Sequence, residues 1–123
     1  MMTTVMGLFE GFAEAQRVIH PLVAQGIRRE DITLIVNREA ITVGDVLVAA
    51  AWGVNVDVGP ASRGEPAALL ALGVPAEAVQ SYAMVLDGGG TLVSVAAAEP
   101  QVDAVAQLLG RSAAAELVAV GVP

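Results

Sequence analysis

Two hydrophobic periods alternate along this chain. In "TTVMGLF", Thr3 to Phe9, β-branched and apolar residues run together, which predicts a strand. Phe12, Ala15, Val18, Ile19, Leu22 and Val23 then recur at helical spacing. That stripe predicts a helix with Glu14, Gln16, Arg17 and His20 on its wet side. Gly26 suits the left-handed position after a helix. Pro21, which has no backbone N–H to donate, predicts a kink or an early break. "DITLIV", Asp31 to Val36, reads as a second strand behind a short polar "RRED" turn. The opening plan is therefore β-α-β.

The last third repeats that plan. Leu92, Val93 and Val95 carry a strand signal in "GTLVSVAA". Val102, Val105, Ala106 and Leu109 keep helical spacing, Pro100 suits a helix start and Gly110 a helix stop. "ELVAVGV" reads as a closing strand. Just before this unit, Pro75 suits a first helical position, and Val79, Tyr82, Ala83 and Leu86 make an apolar stripe. Gly88 to Gly90 then end that helix and let the chain reverse into the next strand. A phosphate-cradling role for these glycines has little physical support. Such loops follow a strand and open a helix, whereas these follow a helix, next to Asp87.

Two β-α-β units of this length predict an α+β fold, a ferredoxin-like sandwich with an antiparallel four-stranded sheet. Residues 1–123 read as one domain, with units at 3–36 and 90–122 and an insertion over 38–89 that holds an extra helix. Inside the insertion, "EPAALLAL" reads as a short helix, "VNVDVG" can form a strand, and the rest has no assignment.

The strands do not alternate between apolar and polar. Val5 and Phe9 point to one side and Met6 and Leu8 to the other; Ile32, Leu34 and Val36 oppose Thr33 and Ile35; Leu92 opposes Val93 and Val95. Helices on one side would leave the second sheet face apolar and bare, beyond what soluble monomers normally expose. The expected cover is a second subunit, giving a homodimer or a higher homo-oligomer. The alternative cover is the insertion, folding back as a lid. The interface or lid candidates are Trp52, Met6, Leu8 and Ile35.

Composition narrows the functions. The chain has 13 acidic residues against 6 arginines and no lysine, a formal net charge of −7. Nucleic acid and anionic membrane both require a basic surface, so neither is an expected partner. The most apolar central stretch, Val46 to Val54, lies between Asp45 and Asp57 and is far short of the ~20 residues of a membrane span. There is no cysteine, and a single histidine excludes a multi-histidine metal centre within one chain. A cytoplasmic protein without a cofactor is the expectation.

The stretch "VMGLFEGFAEAQRVIHPLVAQGIRREDITLIV", with "LGVPAEAVQSYAMVLDGGGTLVSV" and a closing helix and strand, resembles the small bacterial general stress (heat-induced stress) protein domain. The likeness covers both ends of the chain. It implies a ferredoxin-like fold and a stress association, and supplies no catalytic residues. Many such proteins carry a long glycine- and alanine-rich zipper in the middle. Here that place holds a short segment with Glu39, Asp45, Asp57, Arg63 and Glu65.

Catalytic chemistry finds few residues. His20 is the only conventional base near neutral pH, and its place on the wet face of a helix gives it no pocket or orienting partner. Asp45 and Asp57 have no shared geometry in the sequence, and no serine lies in a nucleophile elbow. The expected function is a non-enzymatic, stress-associated structural or interaction domain that self-associates. The alternative is a sensor that binds a small molecule at the subunit junction or under the insertion. A cofactor-free enzyme using the sheet face as a pocket ranks third.

Overall fold

The computed structural model describes residues 2–111 and 116–121, with side chains over 2–39 and 41–110. The chain is α+β. Strand β1 (Met2–Phe9) leads into helix α1 (Phe12–Ala24), and a 3₁₀ turn at Arg29–Asp31 precedes β2 (Ile32–Val36). The insertion then supplies α2 (Val43–Ala51), β3 (Asn55–Asp57), α3 (Pro66–Leu72) and α4 (Val79–Asp87). β4 (Thr91–Ala98), α5 (Val102–Arg111) and β5 (Glu116–Gly121) complete the order.

All five strands form one sheet in the order β3-β2-β4-β1-β5. β1 lies antiparallel between β4 and β5, with Val5 opposite Val95 and Ala119. β2 lies antiparallel to β4, Leu34 facing Val93. The expected four antiparallel strands are therefore joined by a fifth. β3 runs parallel to β2, Leu34 facing Val56, which makes the sheet mixed. The Asn55 side-chain amide holds this short strand in register by donating to the Glu30 carbonyl at 2.9 Å and the Ile32 carbonyl at 3.3 Å.

Helices cover both faces of the sheet. On one face Val5, Phe9, Ile32, Leu34, Val36, Val93 and Val95 pack against Ala15, Val18 and Leu22 of α1 and Val105 and Leu109 of α5. α5 comes close to β1 because Gly7 has no side chain: a Cβ there would lie 3.2 Å from Phe9 Cε1 and 3.3 Å from Leu109 Cβ. On the other face Met6, Leu8, Ile35 and Leu92 pack against Leu69, Tyr82 and Leu86 of the insertion. Burying an apolar side chain of that size stabilises by about 1.5–3 kcal/mol, so each layer adds substantially to stability.

Several local expectations change. α1 continues through Pro21 without a break. The ring costs one hydrogen bond to the Arg17 carbonyl, which lies on the exposed side of the helix where water can replace it. α5 likewise runs through Gly110 to Arg111. Pro75 sits just before a 3₁₀ turn at Ala76–Ala78 and not at the first position of α4. The insertion holds three helices where two were expected, α2 being the addition.

The glycine triplet after α4 has two distinct jobs. Gly89 takes a φ of +101°, a conformation only glycine adopts without strain. Gly90 allows a close approach instead: a Cβ there would fall 2.5 Å from Val85 Cγ1 and 2.8 Å from the Phe9 carbonyl oxygen.

Candidate functional site

The apolar second face of the sheet is covered within the chain. Met6, Leu8 and Ile35 are fully buried. The case for a second subunit over this face rested on its being bare, and α3 and α4 remove that premise. Trp52 is not part of this lid. It follows the last residue of α2, half-buried, and packs on the opposite layer beside α1.

Two surface features involve the region around Trp52. The first is α2 itself. Its start is fixed by a capping box: the Thr42 hydroxyl accepts from the Asp45 N–H at 3.0 Å, and an Asp45 carboxylate oxygen accepts from the Thr42 N–H at 3.3 Å. The rest of "VGDVLVAAA" is apolar all round, yet only Ala49 is fully buried. Val43 is 78 % exposed, Leu47 65 % and Val48 43 %. A helix apolar on every side normally sits inside a core. This one lies at the β3 edge of the sheet, with Asp45 its single charge.

The second feature is a cleft of about 480 Å³ between α1 and the end of α2. α1 contributes Gln16, Ile19, His20 and Val23, which share one helix face. Opposite stand Ala51, Trp52 and Gly53, with Arg29 at the rim. Arg29 lies over Gly53: a Cβ at that glycine would be 3.4 Å from Arg29 Cδ. The two neighbouring arginines differ. Arg28 pairs with Glu30 at 3.5 Å and Asp31 at 3.2 Å, and the hydrogen bond to Asp31 followed by the two negative charges holds its guanidinium above the ordinary value. Arg29 has no carboxylate partner among the described residues. His20 is exposed, as its helical position predicts, and it too lacks a carboxylate partner among them.

Of the sequence candidates, Met6, Leu8 and Ile35 come together under the lid, while Trp52 stands apart in the cleft. Val43, Leu47 and Gln16 were not singled out from the sequence, and Arg29 read only as part of the "RRED" turn, where its charge is cancelled by Glu30 and Asp31. The Thr42-x-x-Asp45 pattern ahead of an apolar run does signal the start of α2, but nothing in the run tells which side stays wet. No metal-holding group of three or more His, Cys, Asp or Glu occurs among the described residues, and no helix there is long and apolar enough to cross a membrane. Comparison with protein-family models, curated proteins and solved structures gives no match for this chain.

Proposed function

We propose that this chain is a non-enzymatic interaction domain that pairs with a second copy of itself through the exposed face of α2. The observation that carries this reading is the exposure of Val43, Leu47 and Val48 on a helix with one charge. The charge balance limits where two copies can meet. A second copy also carries −7, so two copies repel wherever their ordinary surfaces meet. The α2 face is where such a chain can approach itself with least repulsion. A nine-residue helix is only about 13–14 Å long, and a stable interface needs about 800 Å² per partner. The contact therefore extends to the adjoining free edge of β3.

The reading includes a ferredoxin-like core. With β3 set aside, the order β2-β4-β1-β5 with every neighbour antiparallel is what two interlocked β-α-β units generate. The non-enzymatic part is supported by His20, the only histidine, which lines the cleft with no carboxylate partner to orient it among the described residues. The stress association and the cytoplasmic setting rest on the sequence alone, through its likeness to general stress domains and its cysteine-free composition.

Light scattering coupled to size exclusion tests the pairing. At micromolar concentration the expected mass is twice the 12.5 kDa of one chain. Leu47→Glu is expected to give the single-chain mass with the far-UV circular dichroism of the wild type and a lower unfolding temperature, because Leu47 is exposed within one chain and only the stabilisation from pairing is lost. A wild-type monomer, or a Leu47→Glu dimer, overturns the reading.

A further inference from the structure

We infer that the cleft between α1 and the end of α2 binds a small organic carboxylate with an apolar body. Its lining separates into two kinds of surface. Ile19, Val23, Ala51 and the indole of Trp52 offer apolar contact, while Arg29, His20 and Gln16 offer donors. Small-molecule sites combine these elements: apolar walls for affinity and a few polar groups for orientation. The volume of about 480 Å³ lies within the usual range for such sites.

Charge selects the class of ligand. Among the described residues, no acidic side chain lines this cleft. Arg29, the one full cation lining it among the described residues, has none of the ion pairs that occupy Arg28. A guanidinium matches a carboxylate through two parallel N–H donors. His20 has a ring N–H to offer in either protonation state, and Gln16 an amide. Bare inorganic anions would leave the apolar wall unused, and neutral apolar molecules would leave Arg29 unpaired. An amphiphilic acid satisfies both halves of the cleft.

Trp52 is the only tryptophan of the chain and lines the cleft, so its fluorescence reports occupancy directly. Titration with benzoate is expected to give a saturable change. Benzamide, of the same shape without the charge, and inorganic phosphate are each expected to bind roughly tenfold more weakly or worse, as expected for loss of a charge-assisted contact. Arg29→Gln should weaken benzoate to the same degree and leave the unfolding temperature unchanged, since Arg29 is exposed. The titration repeated in Leu47→Glu keeps the result independent of self-association. No saturable benzoate signal, equal affinity for benzamide, or undiminished binding by Arg29→Gln each overturns the inference.

Discussion

The side-chain amide of Asn37 donates to the main-chain carbonyl of Leu86 at 3.0 Å, across 49 positions of sequence. The same side chain turns its oxygen the other way and accepts from the Glu39 N–H at 2.9 Å. Asn37 thus starts the insertion and ties down the end of its last helix. The Leu86 carbonyl is one of the groups that a helix C-terminus leaves without an intrahelical partner.

Asn37→Ala is expected to destabilise by about 0.5–1.5 kcal/mol, the net worth of one hydrogen bond, because the Leu86 carbonyl keeps the Gly89 N–H at 3.0 Å. Asn37→Asp should be worse, because it replaces a donor with a negative acceptor facing the carbonyls of Leu86 and Asp87. Urea denaturation of both variants measures this. A loss for Asn37→Ala that cannot be resolved shows that the tie adds nothing.

Two glycine substitutions are expected to act with opposite signs. Gly64 has a φ of +79°, and a Cβ there would sit 2.7 Å from the Ala83 carbonyl oxygen. Because the obstacle is backbone, it cannot rotate away. Gly64→Ala should cost at least about 1–2 kcal/mol from the left-handed conformation alone. Gly44 lies in α2, where a Cβ would meet only Thr42 Oγ1 at 3.7 Å. Gly44→Ala should stabilise by up to about 1 kcal/mol. Thermal unfolding of both in the Leu47→Glu background separates these effects from association.

Adjacent leucines of α3 test the lid. Leu69 is fully buried against the sheet, while Leu70 is 49 % exposed. Leu69→Ala should cost about 2–5 kcal/mol and Leu70→Ala no more than about 0.5 kcal/mol. Equal losses, read by denaturant midpoint, would mean that the face assignment of α3 is wrong.

Much of the sheet is legible from its period of two. Val5 and Phe9 go to one core layer and Met6 and Leu8 to the other, and Ile35 and Leu92 follow the same rule. That period shows that both faces need a cover without saying what supplies it. A partner chain and a folded-back insertion bury the same residues. α2 was illegible for another reason: a run as uniform as "VLVAAA" has no polar side to mark its orientation. β3 lies within the alternating "VNVDVG" that can form a strand, but three residues without a hairpin turn do not tell that it joins the sheet parallel to β2. Breaker signals misled where the break was tolerated, as at Pro21 on the wet side of α1 and Gly110 near the end of α5. Arg29 belongs to the cleft only because Arg28 takes both nearby acids, a choice made by geometry.

The strand order also sets a timetable for synthesis. β1 is made before the other four strands, yet both of its neighbours, β4 and β5, follow the whole insertion. β2 has only the three-residue β3 beside it until β4 is made. Until then Met6, Leu8 and Ile35 have no completed sheet from which to meet the lid, and the unpaired edges of β1 are open to other chains. The first strand to be made is among the last to gain its partners, so a nascent chain of this protein has reason to depend on chaperone shelter until its C-terminal third has emerged.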